Sequence, residues 1–252
     1  MRQIVDKISA ILSLYSFEKS DWGVTEISKR LGMPKSTVSE LLSSLVEQGL
    51  LERSVKARFS LGWRFFGLNQ ILLESTPMVR EGRKAIADIV DRTGETCHLM
   101  VLERSDAVVV DKAQATIASQ NSATRIGLRF PAYCSAGGKA LLAHMPWENV
   151  QVLFEGAELK NLSGANIVTL DKLHSELEAA KERGVAFDRE NLSAGMTSVA
   201  APIRDFDGKV IASICLSAPT HRFNVAESQF VSMIAEAGRR VSSGLGYIRN
   251  MP

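Results

Sequence analysis

Apolar positions follow a helical period through the first third of the chain and alternate further on. Residues 3 to 17 set Ile4, Ile8, Ile11, Leu12 and Tyr15 on one stripe at the i, i+4, i+7 spacing of an amphipathic helix. After a break at "KSDWG", the stretch "VTEISKRLGMPKSTVSELLSSLVEQGLLER" predicts two helices joined by a tight turn. Thr25 reads as the cap of the first, which carries Ile27 and Leu31; Gly32 ends it and Pro34 opens the second. In the second helix Val38, Leu41, Leu42 and Leu45 share a face, leaving Ser36, Ser39, Glu40, Ser43 and Glu47 on the other. Gly49 stops it. "LLERSVKARFSLG" then reads as two short strands around a basic turn, with Arg53, Lys56 and Arg58 near its tip.

Residues Trp63 to Glu74, "WRFFGLNQILLE", are apolar nearly all round, which a helix tolerates only when covered on several sides and which suggests self-association. Thr76 and Pro77 open another helix with Ile86, Ile89 and Val90 inward and Gly94 as its exit, placing a domain boundary near residue 77. Beyond it "TCHLMVLERSDAVVVDKAQ" reads as two strands around a Ser-Asp turn. A helix starts at Ala136 and another covers residues 171 to 183, with Leu173 and Leu177 inward and Gly184 as exit. "VAFDRE" gives a strand, "TSVAAPIRDFDGKVIASICLSAP" a hairpin turning at Asp207 and Gly208, and the remainder a long helix. Its stripe of Val231, Ile234, Val241, Leu245 and Ile248 suits packing within the chain or across subunits.

Composition narrows the classes. A chain of 252 residues, 45% apolar, can bury one large core or two ordinary ones. The net charge of +2 means that nucleic-acid affinity must come from a local patch. Cys97, Cys134 and Cys215 are odd in number and widely spaced, which argues against a disulfide framework and fits a reducing, cytoplasmic setting. No stretch approaches the roughly 18 uncharged apolar residues of a membrane span, so no membrane partner is expected.

Three constellations carry candidate chemistry. A helix whose outer face is small and hydroxylic can lie in a DNA major groove, and the amino terminus near Lys35, Ser36 and Thr37 turns backbone N–H groups toward phosphate. Arg53, Lys56 and Arg58 would grip the adjacent backbone as a wing. An ordinary helical hairpin with a solvated serine face is the plainer alternative. Because residues 1 to 60 hold nine Lys or Arg against seven Asp or Glu, a single copy would bind weakly, and a dimer reading two half-sites is needed.

The second constellation is "GLRFPAYCSAGGK". It lacks the spacing of a nucleotide P-loop, and Ala140 rather than a hydroxyl residue follows Lys139. Ser135 can cap the helix beginning at Ala136, leaving the N–H groups of Ala136, Gly137 and Gly138 as a nest for one carboxylate; a turn that needs glycine for packing fits equally. The third is the hairpin, where Cys215 and Ser217 share a face, as do Ser198 and Ala200, with Asp188 on the preceding segment. A small polar metabolite would suit such a cavity, and so would plain packing of small residues. His98, His144, His174 and His221 show no metal-ligand spacing, and no acid or histidine is placed to activate Cys134, so neither metal, cofactor nor catalysis is expected.

"LGMPKSTVSELLSSLVEQGLLER" with "FSLGWRFFGL", then "GLRFPAYCSAGGKALLA", then "GVAFDRENLSAGMTSVAAPIRDFDGKVIASICLSAP" together resemble the bacterial IclR-type transcriptional regulators over essentially the whole length. The resemblance implies an α+β protein with a winged helix-turn-helix DNA-binding domain at 1–61, a linker and dimerisation helix at 62–76, and a GAF-like α/β effector-binding domain at 77–252. It implies a pseudo-palindromic double-stranded DNA operator, a homodimer or dimer of dimers, commonly repression, and a small organic or aromatic acid effector. Matched position by position, the effector pocket would draw on Ala136, Gly137, Asp188, Met196, Ser198, Cys215 and Ser217. Glu40 stands where the family often has arginine, Tyr133 where it often has histidine, and Ser198 where it often has cysteine, implying a different operator and a ligand with an aromatic or less anionic body. The rival reading is a small-molecule enzyme or sensor whose first domain recruits protein partners.

Overall fold

A computed structural model describes residues 2–115, 124–160, 162–164 and 169–248. The chain divides into two compact units, Met1–Ser75 and Thr76–Pro252. The first contains α1 (Arg2–Leu12), β1 (Asp21–Trp22), α2 (Val24–Leu31), α3 (Lys35–Glu47), β2 (Leu51–Arg53), β3 (Phe59–Leu61) and α4 (Arg64–Glu74). The helical stripes meet over a small core of Ile11, Ile27, Val38, Leu42, Leu45, Leu51 and Phe59. Removing this apolar surface from water is what holds so small a unit together.

The α2–α3 turn forms as expected at Gly32, whose φ of +65° suits a residue without Cβ. Ser28 fastens the turn by donating its hydroxyl to the Met33 carbonyl at 2.7 Å. The cap differs from the expectation. Helix α2 starts one residue before Thr25, at Val24, and Gly23 is the N-cap; its N–H donates to Glu26 Oε2 at 2.8 Å. A carboxylate three residues into the helix satisfies the leading N–H better than a hydroxyl displaced into the first turn. The "KSDWG" break also holds a strand, since Asp21 and Trp22 pair with Ser60 and Phe59 and complete an antiparallel sheet in the order β1-β3-β2.

The second unit contains α5 (Pro77–Thr93), β4 (Thr96–Glu103), β5 (Asp106–Ala113), β6 (Arg129–Pro131), α6 (Ala136–Leu142), α7 (Trp147–Leu153), α8 (Leu170–Arg183), β7 (Ala186–Arg189), β8 (Met196–Arg204), β9 (Val210–Pro219) and α9 (Thr220–Gly244). Its strands form one antiparallel sheet in the order β6-β5-β4-β9-β8-β7. Alternation along the central strands splits the faces. Leu99 and Ala201 meet α5 and α9, where Gly82 and Gly238 allow close approach, while Met100, Ala186, Ala200 and Cys215 join α6, α7 and α8 in the opposite core.

Strand β6 and helix α7 have no counterpart among the elements that periodicity predicts, and the β4–β5 turn is Arg104-Ser105, one residue earlier than Ser-Asp, with Arg104 at φ +56°. Of the carboxy-terminal stripe, Ile234 and Val241 are buried within this unit and Ile248 stays exposed. Among the described residues no helix is long and apolar enough to cross a membrane.

Candidate nucleic-acid interface and ligand site

Burying Val38, Leu42 and Leu45 turns the opposite face of α3 to solvent. Lys35, Ser36, Ser39, Glu40 and Ser43 are exposed and Thr37 half-buried. None of these side chains has a hydrogen-bond or ion-pair partner among the described residues. The helix begins after Pro34 with no side-chain cap, so its first N–H groups are unclaimed as well. Beside it the β2–β3 hairpin closes through Ser54 N–H to the Arg58 carbonyl at 2.8 Å, and Arg53 and Lys56 are exposed without ion pairs among the described residues.

Arg58 stands apart from the other two wing cations. Its guanidinium reaches back to Asp21 at 2.7 Å and to Glu26 at 3.0 Å, and also donates to the Asp21 carbonyl. Glu26, which accepts first from the Gly23 N–H and then from Lys19, is held down at about 2. The Asp21 carboxyl is lowered chiefly by its hydrogen bond to Arg58. Arg58 therefore ties β1, α2 and the hairpin into one body, and its charge is already matched.

In the second unit, register assembles the other candidates. Asp188, Ser198 and Ser217 stand side by side on β7, β8 and β9, with Ala186, Ala200 and Cys215 in the next row. Met196, half-buried, begins the same face. Ser198 and Ser217 share a hydrogen bond of 2.7 Å between their hydroxyls. Asp188 Oδ1 accepts from the Asn191 N–H at 2.7 Å, and the carboxyl is pushed up to about 6, mainly by burial. The Lys139 charge opposes that rise from within α6 while its Nζ pairs with Glu176 at 2.6 Å. Cys134 and Cys215 are both pushed to about 12, burial first, with Asp188 adding to each, so neither is a thiolate nucleophile near neutral pH.

Close packing constrains the glycine loop. Ser135 caps α6 as expected, but it does so by accepting the Gly138 N–H at 3.0 Å, which removes that donor from the nest. A Cβ on Gly138 would lie 2.3 Å from Ala132 Cα, and one on Gly137 would lie 2.4 Å from Met100 Sδ. Ala136 is buried with them, and the Gly137 N–H is turned toward the Cys215 sulfur. Tyr133 is also occupied, its hydroxyl donating to the Lys160 carbonyl and accepting from the Lys160 N–H.

Sequence reasoning missed Ser213. It lies on the face of Cys215 and Ser217, next to Gly137, and its buried hydroxyl has no partner among the described residues. An orphan of this kind costs about 1–3 kcal/mol unless something fills its need. Extending the period-two reading from Cys215 by one more step would have found it. His98, paired with Cys215 in register, is likewise buried, and burial holds it at about 3.

Residues 5–54 match the family described as the IclR helix-turn-helix domain, and residues 70–243 match bacterial transcriptional regulator IclR C-terminal. The regulator KdgR of Escherichia coli K12 is 30% identical over 249 residues, covering 96% of this chain and 94% of that protein. XynR of the same organism is 29% identical over 247 residues, covering 97% and 98%. An IclR homolog from Microbacterium hydrocarbonoxydans, complexed with 4-hydroxybenzoate, superposes with a TM-score of 0.82 over 96% of this chain and 98% of that one; at 22% identity it bears on the fold alone. The chain belongs to the IclR family of bacterial transcriptional regulators, with a helix-turn-helix unit followed by an effector-binding unit.

Proposed function

We propose that the protein is a homodimeric or dimer-of-dimers repressor that reads a pseudo-palindromic operator with α3 and releases or re-spaces its two reading heads when a small organic or aromatic acid binds the second unit. One observation carries the DNA reading: the exposed face of α3 is hydroxylic and has no internal partners among the described residues. Ser36, Ser39 and Ser43 are short enough to let the backbone approach base edges, and Glu40 is suited to accept from a cytosine amino group. Lys35, Arg53 and Lys56 supply phosphate contacts, and Arg58 braces the wing from inside. The apolar α4 and its N-cap residue, with Trp63 77% and Ile71 67% exposed, support a linker role in joining two copies across residues 62–76.

The effector reading rests on the polar row of Asp188, Ser198 and Ser217, with Met196, Cys215, Ala136 and Gly137 as its apolar surround and Ser213 added. Asp188 is only 2% exposed, so a ligand must displace the segment that follows β7 before reaching it. An aromatic acid with a hydroxyl would offer that hydroxyl to Asp188 and its ring to Met196. Regulation then follows if the ligand binds one arrangement of the protein better than another. Repression is favoured by the relative named transcriptional repressor IclR, 28% identical over 230 residues.

Duplex DNA binding tests the reading directly. Retention on duplex DNA should fall steeply with salt, and Arg53→Ala with Lys56→Ala should weaken it. Binding that ignores salt would favour a sensor whose first unit recruits protein.

A further inference from the structure

A cleft of about 680 Å³ opens in the second unit between the end of α8, the last residues of β8 and the carboxy-terminal half of α9. It exists because β7 pairs with β8 only as far as Ala200, while β8 runs on to Arg204. The walls carry Lys181, Arg204 and Arg239, with Glu182 as the acidic group. Arg183 also reaches the cleft, but its Nε donates to the Ala179 carbonyl and its guanidinium lies 5.4 Å from the Phe187 ring, an ordinary arrangement at a helix end.

Arg204 is half-buried and fixed in place. One guanidinium nitrogen donates to the Gly208 carbonyl at 2.9 Å, another lies 3.2 Å from a His144 ring nitrogen, and Tyr247 lies 5.9 Å from its centre. No carboxylate pairs with Arg204, Lys181 or Arg239 among the described residues. Several arginines elsewhere in this unit differ: Arg83, Arg129, Arg189, Arg222 and Arg240 each have an acidic partner. Burial, Arg204 and Lys181 hold His144 at about 4, so it adds no charge to the cleft near neutral pH. A constrained cation without a counter-ion, facing two more across a cavity of metabolite size, is the complement of an anion.

We infer that this cleft binds a small, multiply charged anion, a polycarboxylate or a phosphoryl compound, through Arg204, Lys181 and Arg239. The site shares no residue with the Asp188 row: none of Asp188, Met196, Ser198, Cys215 and Ser217 lines the cleft. It therefore stands or falls independently of the proposed effector site.

The test uses the full chain at fixed ionic strength, with citrate and pyrophosphate as probes and chloride as the reference salt, read by calorimetry and by the unfolding midpoint of the second unit. Saturable binding of citrate alone assigns carboxylates, of pyrophosphate alone phosphoryl groups, and of both the shared anion chemistry. Each of these supports the inference, provided that Lys181→Ala with Arg239→Ala weakens binding at least tenfold and Ser217→Ala does not. Both cations are exposed and carry no ion pair among the described residues, so the double variant should unfold no earlier than the parent protein, and Arg239→Lys should keep part of the affinity. No saturable binding of either probe, or equal affinity in the double variant, overturns the inference.

Discussion

The two polar surfaces of this protein are built in opposite ways. On α3, Ser36, Ser39, Glu40 and Ser43 project from a helix whose other face is core, and they have no intramolecular partners among the described residues. Around Asp188 the groups are more enclosed: Asp188 accepts from backbone and Ser198 bonds Ser217, leaving Ser213 as the orphan, and the carboxyl sits at about 6 because burial disfavours its charge. A surface meant for a large polyanion can wait in water, since phosphates arrive with their own charge and need only unclaimed donors. A site for a small molecule must replace the ligand's whole hydration shell, so its groups are gathered in advance and satisfy one another until the ligand competes for them.

The largest effect that could break this contrast comes from bulk on α3. Ser36→Leu should reduce duplex DNA binding by on the order of a hundredfold or more, about 3 kcal/mol, while the unfolding of the second unit stays unchanged. Gel shift and calorimetric unfolding on the same sample check it. Wild-type affinity in the variant would place the DNA interface elsewhere.

Asp188→Asn probes the buried side. The native carboxyl titrates near 6 against 3.8 when unperturbed, so the folded state holds its proton more tightly than the unfolded state. Its contribution to stability is present below the unfolded value and is lost as pH rises from about 4 through 6. At pH 8 the aspartate is charged in both states and carries a burial penalty, so the amide should stabilise the second unit by up to about 3 kcal/mol. The gap should close toward pH 4. Denaturant titrations at the two pH values decide this, and a destabilised variant at pH 8 would mean that the carboxylate is already compensated. Ligand affinity should fall even as stability rises, the trade expected of a binding group.

The glycine loop sharpens the comparison further. Gly138→Ala drives a methyl into the Ala132 backbone and should cost about 1–3 kcal/mol, whereas Gly137→Ala meets the adaptable end of Met100 and should cost less. Denaturant midpoints check it, and a Gly138→Ala variant as stable as the parent protein would show that close approach to Ala132 is not what requires glycine there.

Much of the fold was legible because its period was long. Helices α3, α5 and α8 and hairpin β8–β9 announced themselves through ten or so residues of consistent spacing and through Gly49, Gly94 and Gly184 at their exits. Strand β1 is two residues long and β6 three, too short for any period to register. The Asp188 row was half legible: strand alternation put Cys215 with Ser217, but only the register between strands brought Asp188 beside Ser198. The pairing of Arg58 with Asp21 spans 37 residues, and nothing local distinguishes it from Arg53 or Lys56. Counting basic residues on a hairpin cannot separate a brace from a grip.

That last distinction supplies the most direct measurement: the slope of log Kobs against log salt for a duplex of about three helical turns. With α3 and the wing on DNA, Arg53→Ala and Lys56→Ala together should flatten the slope by about 0.9 for each phosphate that the protein no longer neutralises, roughly two per protomer, and Arg58→Ala should leave it unchanged. A slope that is the same in the parent protein and in the Arg53, Lys56 double variant would contradict the interface.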